Sequence, residues 1–316
     1  MSNSNDGTGR ALSIMKRIAL GVAGFIAVAC LVGGVAVFAL FGNELKTLDS
    51  IKKIDEYPLY TMDYAGDYGI DEFLEQGSAS NDAELIDFVV GRLLKGLPIE
   101  IELPNLACST FNAETPSGDA VFGRNFDLEF SPGMMVRTNP EDGYASLSMV
   151  NLAFIGYGED KLPDDLASSI VSLAAPFAPL DDVNEKGLAV GVLLIDTEAT
   201  DQRTDRVDIT TTTAGVPAEG KTYMAATNFL LTPGEYDFGG GEDRYATVMG
   251  ALEAAEGVMD EQQAMDTLQS VSREVKIKDN GEVFQTQWSV VYNLDRGTAK
   301  ICMGGKYDEV HELSIA

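Results

Sequence analysis

The sequence predicts an α+β fold, on three observations. Short strand-like runs come in pairs over tight reversals: "STFNAE" and "AVFGRNFDLEF" flank "TPSGD", and "QWSVVYNLD" and "TAKICMGG" flank a DRG turn. Helical patterns lie between these pairs instead of alternating with single strands, which argues against a doubly wound sheet. No phosphate-binding glycine loop occurs, and "FGGGED" (238–243) has neither a P-loop lysine nor a dinucleotide fingerprint.

Taken in order, the chain opens with a basic tail and then "RIALGVAGFIAVACLVGGVAVFALFG" (17–42), uncharged after Arg17. Twenty-five uncharged residues rise about 37 Å as a helix, enough for a hydrocarbon core of about 30 Å. The run is too long for the h-region of a cleavable signal peptide, so residues 18–42 are expected to be a retained transmembrane signal anchor. Arg10, Lys16 and Arg17 lie closer and denser than Lys46, Lys52 and Lys53, which predicts a cytoplasmic tail at 1–17 and an extracytoplasmic bulk.

Residues 43–80 are polar, Tyr-rich and acidic, and read as a connector. "NDAELIDFVVGRLLKGLP" (81–98) reads as a helix: Asn81 is the N-cap, Glu84 holds the capping-box position, and Leu85, Phe88, Val89 and Leu93 form one stripe. Gly96 and Pro98 supply its stop. The first strand pair begins at about residue 107. "GLAVGVLLI" (187–195) reads as a continuous buried strand. "RYATVMGALEAAEG" (244–257) and "DEQQAMDTLQSV" (260–271) read as helices before the closing hairpin. No internal repeat appears.

Composition narrows the function. At 316 residues the chain can bury the core of one large domain plus an accessory segment. Fifty acidic against 22 basic residues give a formal charge of −28, a field that repels phosphate backbones, so no nucleic-acid partner is expected. Three cysteines, Cys30, Cys108 and Cys302, make no disulfide framework; with Cys30 in the apolar run, one bridge at most, Cys108–Cys302, is open. The single histidine, His311, lies in the charged tail "YDEVHELSIA" and reads as solvated. A Ser-His-Asp or Cys-His site would depend on it, histidine-rich metal sites are excluded, and neither a zinc spacing nor an EF-hand is present. No cofactor is expected.

A cysteine nucleophile without histidine has one economical solution. If cleavage makes it the first residue, its own α-amine, with an ordinary pKa of about 7.7–8.0, can act as base. A nearby arginine would favour the thiolate, and an aspartate could hold the amine.

Cys108, with Arg124 and Asp127 in "GRNFD" on the returning arm, resembles the cysteine N-terminal-nucleophile hydrolases: the choloylglycine hydrolase and penicillin V acylase family and the related linear amide C–N hydrolases, which include acid-ceramidase-like amidases. "DDVNEKGLAVGVLLI" (181–195), "AATNFLLTPG" (225–234) with "EDRY" (242–245), and "TQWSVVYNLDRGTAKICMGG" resemble further blocks of that family, in the same order across 108–316. The resemblance implies a four-layer αββα sandwich, here preceded by one transmembrane helix, and hydrolysis of a small N-acyl amide. It implies that Cys108 attacks the carbonyl with its α-amine as base, Asp127 binds that amine, Arg124 stabilises the thiolate, Asn228 donates to the oxyanion and Arg244 braces the site. Cleavage between Ala107 and Cys108 would be required, with 43–107 acting as a propeptide. A homo-oligomer is left open by the sequence.

Two departures are visible. The position that matches a second oxyanion asparagine is Leu194, and between "DITTTTAG" (208–215) and "YMAATN" (223–228) the chain is shorter than the family pattern, around 215–222. They motivate the alternative reading, a catalytically inactive, membrane-anchored binding module on the same fold.

Overall fold

The computed structural model describes residues 41–97, 107–195, 221–231, 234–277 and 283–316. Residues 1–46 and 47–316 are separate compact units, and in the first only 41–46, which are helical, are described. The anchor expected at 18–42 and the shortening expected near 215–222 thus fall almost wholly outside the described residues. Among those described, no helix is long and apolar enough to cross a membrane.

Residues 47–316 are built on two sheets. Sheet one runs β1(Lys52–Asp55), β2(Leu59–Asp63), β5(Gly133–Thr138), β6(Ser146–Asn151), β7(Pro179–Asn184), β8(Ala189–Gly191), antiparallel except for the parallel β2–β5 pair. Sheet two runs β13(His311–Ser314), β12(Thr298–Met303), β11(Val283–Asn293), β4(Ala120–Leu128), β3(Ala107–Glu114), β9(Met224–Ala226), all antiparallel, with the short β10(Lys276–Ile277) also on β11.

Strand alternation sends each side chain to one of three cores. In β4, Phe122, Phe126 and Leu128 face the inter-sheet core, together with Cys108, Trp288, Met135 and Met149, while Val121 faces the opposite way. Phe126 stacks on Trp288 with ring centroids 4.1 Å apart. Burying an aromatic of that size is worth about 5 kcal/mol at 25 cal/mol per Å². Behind sheet two, α4(Glu242–Ala254) and α5(Glu261–Ser270) bury Val248, Leu252, Met265 and Leu268 against Phe111, Val121 and Val291. Outside sheet one, α2(Asp82–Arg92) and the 3-10 helix Ile170–Phe177, which follows directly on the short α3(Leu166–Ser169), cover Tyr60, Met62, Met134 and Val136, and the short α1(Ile70–Glu75) joins them through Phe73. The layers are therefore helix, sheet, sheet, helix.

Several local expectations are met. Asn81 caps α2 by accepting from the Glu84 N–H at 3.0 Å, although Glu84 accepts from the Ser80 N–H instead of closing a capping box on Asn81. Asp260 and Gln263 make a full capping box on α5. Both hairpins form as expected.

Three readings are corrected, and one possibility left open is closed. Residues 43–80 are not a spacer: β2 lies inside sheet one between β1 and β5, with Leu59, Tyr60 and Met62 buried. "GLAVGVLLI" is not a buried strand. Only 189–191 pair, on a sheet edge, and Leu188, Val190 and Val192 are exposed. Cys108 and Cys302 are both free and belong to different cores, so they do not bridge. His311 is not a freely solvated tail residue: β13 anchors it, half-buried, with Nε2 2.6 Å from Oδ2 of the buried Asp55.

Candidate active site

Strand register assembles the site. β9 pairs with β3 through Thr110↔Ala226, and the same antiparallel count carried two residues onward places Asn228 opposite Cys108. The Cys108 N–H donates to Asn228 Oδ1 at 2.7 Å. On the other side of β3, Cys108 pairs with Phe126 and Thr110 with Arg124, so Cys108 and Arg124 are diagonal neighbours on the inter-sheet face. Arg124 Nη2 lies 3.5 Å from the Cys108 Sγ. Both residues are fully buried.

The glycine loop before α4 brings in Arg244. Gly240 donates its N–H to the Asn228 carbonyl at 2.9 Å, Thr227 Oγ1 donates to the Gly241 carbonyl at 3.0 Å, and α4 starts immediately after. Gly241 has φ 96, and a Cβ there would meet Arg244 Nη2 at 2.4 Å. Arg244 in the first turn then reaches back. Its Nη1 donates to the Cys108 carbonyl at 2.5 Å and to Ser109 Oγ at 2.7 Å, and its Nη2 donates to Asn228 Oδ1 at 2.9 Å.

Asp127 lies on the helix-facing side of β4. Thr286 Oγ1 donates to its Oδ1 at 2.6 Å, and Arg244 Nη1 is 3.6 Å from its Oδ2. Arg273 Nε is 4.0 Å from the same oxygen. Burial pushes Asp127 up to about 6, opposed by the Thr286 hydrogen bond and by the arginines. Burial likewise raises the Cys108 thiol, opposed chiefly by the Arg124 guanidinium, and lowers Arg244 from its ordinary value, opposed by Asp127.

All five residues singled out in the sequence, Cys108, Arg124, Asp127, Asn228 and Arg244, thus converge, but two contacts differ from those expected. Asn228 turns its Nδ2 donor to the Leu194 carbonyl at 2.6 Å and offers Cys108 its acceptor oxygen. The contacts of Asp127 go to Thr286 and the arginines, whereas the Cys108 nitrogen is held by Asn228. With Ala107 joined to it, that nitrogen is an amide with a single hydrogen.

Sequence reasoning missed Asp181, Tyr292 and Gly241. Arg124 Nη1 donates to the Leu180 carbonyl, and its Nε is 3.3 Å from Asp181 Oδ2. The Tyr292 hydroxyl donates to Asp181 Oδ1. The available signal was the pair Asp181–Asp182 set between the apolar Leu180 and Val183.

A cavity of about 390 Å³ opens beside the site, walled by Phe111, Phe122, Val190, Leu193, Met224 and Leu294. Its inner end is close to the guanidinium, because a Cβ on the lining Gly191 would sit 3.4 Å from Arg124 Nη1. The polar residues on its wall are occupied by β9 and the chain before it: Thr110 Oγ1 donates to the Ala226 carbonyl, and Asn112 bonds the Thr222 carbonyl and the Met224 N–H. No group of histidine, cysteine and carboxylate side chains suited to a metal occurs among the described residues.

The chain is similar to two crystal structures of conjugated bile acid hydrolase variants from Clostridium perfringens. One is 13% identical with a TM-score of 0.37 and the other 12% identical with a TM-score of 0.39; each covers 66% of this chain and 92% of the other. No family model matches the chain, and no curated protein matches it.

Proposed function

We propose that the protein is a cysteine amidase that hydrolyses a linear amide of an N-acyl compound, with Cys108 as nucleophile after cleavage of the Ala107–Cys108 bond. One observation carries this reading: the Cys108 nitrogen already sits in a polar cradle, 2.7 Å from Asn228 Oδ1, while its sulfur lies 3.5 Å from a buried guanidinium. Hydrolysis of the Ala107–Cys108 bond would turn that nitrogen into an amine at the same place. The amine takes the thiol proton as sulfur attacks the substrate carbonyl, and returns it to the leaving amine as the tetrahedral intermediate collapses to a thioester. Water, deprotonated by the same amine, then releases the acid. The apolar cavity would seat the acyl group.

Support also comes from Arg244, which joins the Cys108 carbonyl, Ser109 and Asn228 and so fixes the backbone on both sides of the nucleophile. A rival, the inactive binding module, draws on Asn228 Nδ2, which turns one of its two N–H groups to the Leu194 carbonyl. Intact-mass analysis with N-terminal sequencing separates the two. A mature chain beginning at Cys108 that hydrolyses a chromogenic acyl amide, with turnover abolished in Cys108→Ser, is the expected result. A chain that stays whole sinks the amine mechanism. The membrane anchor and extracytoplasmic placement are part of the proposal, to be tested by protease shaving of intact cells; protection of 108–316 would reverse the orientation.

A further inference from the structure

The inter-sheet face holds more charge around Cys108 than the reaction above uses. Arg124 is fully buried and placed between two acids, the Cys108 thiol at 3.5 Å from Nη2 and the Asp181 carboxylate at 3.3 Å from Nε. They come from opposite sheets: Cys108 from β3 in sheet two, Asp181 from β7 in sheet one. Tyr292 on β11 donates to the far oxygen of Asp181, and the Leu180 carbonyl takes Nη1. The guanidinium is therefore held from the sheet-one side whether or not the sulfur is charged.

A buried guanidinium needs a counter-ion. If Cys108 were its only acidic neighbour, the sulfur would be driven to ionise, which is how arginines activate cysteines elsewhere. Here the Asp181 carboxylate takes that place: burial pushes its pKa up, and the Arg124 guanidinium at 3.3 Å, then the Tyr292 hydrogen bond, oppose that rise. The other charged groups around the sulfur do not alter the balance. Asp127 on β4 opposes the thiolate and Arg244 on α4 favours it, and these two lie against each other at 3.6 Å. Asp182 on β7 faces Ser146 of sheet one, and its charge is felt by Asp181 and Tyr292.

We propose that Asp181 is the resting counter-ion of Arg124, a positioning residue that holds the guanidinium at the sulfur while keeping Cys108 a neutral thiol. The site would then start from thiol plus base, and the proton would leave sulfur only to the amine during attack. This rests on the reading of Cys108 as the nucleophile. The direction of the thiol's shift, raised by burial against Arg124, agrees with it.

The test is a thiolate titration by ultraviolet absorbance on the full chain carrying Cys30→Ser and Cys302→Ala, so that Cys108 alone reports. With Asp181 intact the midpoint should lie at or above about pH 8.5, the ordinary cysteine value. A midpoint in the activated range of about 3.5–7.5 overturns the proposal without any further variant. Asp181→Asn should lower the midpoint by about one unit or more, and Asp181→Glu should restore it. An unchanged or raised midpoint in folded Asp181→Asn also overturns it. Because the titration needs no substrate, its outcome is independent of whether Cys108→Ser abolishes hydrolysis, so the two readings can fail separately.

Discussion

The Asn228 side chain meets Cys108 not at the sulfur but at the backbone nitrogen, which donates to Asn228 Oδ1 at 2.7 Å. The same oxygen accepts from Arg244 Nη2 at 2.9 Å. Asn228→Ala would leave a buried N–H and a buried guanidinium arm without that acceptor, a cost of about 1–3 kcal/mol. The variant should therefore show a lower urea midpoint and, if the amidase reading holds, hydrolysis reduced by about 10²-fold or more. Near-normal turnover in a folded variant would remove Asn228 from the site.

Gly241 is the hinge of the Arg244 placement. Alanine there must accommodate φ 96 and a Cβ 2.4 Å from Arg244 Nη2 and 3.0 Å from Thr227 Oγ1. Gly240, its neighbour, has nothing within 4 Å of its Cβ position. Gly241→Ala should cost about 1–3 kcal/mol and displace Arg244, whereas Gly240→Ala should stay within about 0.5 kcal/mol of the parent. Equal effects, by chemical denaturation of the two variants side by side, would contradict this placement.

What the sequence showed and hid follows from how local each feature is. The hairpins of Cys108–Arg124 and of Trp288–Met303, and the caps at Asn81 and Asp260, are written in turn chemistry and in neighbours a few residues apart. The parallel pairing of β2 with β5 is not. Leu59 and Gly133 meet across a long separation, and the polar, acidic residues around "LYTMDY" mask the short buried run. The run "GLAVGVLLI" misled because apolar residues there wall an open cavity as well as a core. The five candidate site residues were picked out through family motifs. Asp181 and Tyr292 were not, because only the meeting of the two sheets brings them to Arg124.

Asp182, the strand neighbour of Asp181, gives a pH test of the fold itself. It faces Ser146, and burial pushes its carboxyl up from 3.8 to about 6. The folded state thus holds this proton more tightly than the unfolded chain does. Below about pH 4 the group is protonated in both states and costs nothing. As pH rises toward 6 and beyond, the unfolded chain gains by ionising first, and the fold loses up to about 3 kcal/mol. Asp182→Asn should therefore stabilise the protein relative to the parent at pH 7.5 and have little effect at pH 4. Urea midpoints of both proteins at the two pH values give the difference directly, and a gain at pH 4 that vanishes at pH 7.5 would reverse the sign.

Cys302 is the internal control for thiol chemistry. It packs against Met265 on the helix-facing side of sheet two, and burial pushes its thiol up to about 11. Cys302→Ala removes one buried sulfur, at a cost of about 1 kcal/mol, and should leave hydrolysis and any cleavage at Ala107–Cys108 intact. Loss of cleavage in a stable Cys302→Ala protein would move the chemistry away from Cys108.

Cleavage before Cys108 would cut the chain without freeing what lies upstream. β2 is flanked by β1 and β5, α2 covers Tyr60, Met134 and Val136, and Asp55 holds His311 on β13. Removing 47–107 would strip both strands and the helix from sheet one and expose its outer core, so the segment acts as a structural part of the cut protein. A chain starting at Cys108 and expressed alone should be insoluble or bind a hydrophobic dye, with loss of near-ultraviolet dichroism. Supplying residues 47–107 as a separate chain should restore a soluble 1:1 complex. The decisive observation is the size of a cleaved sample under native conditions: co-migration of the two pieces is expected. A folded 108–316 fragment free of its partner would show that sheet one does not need β1 and β2.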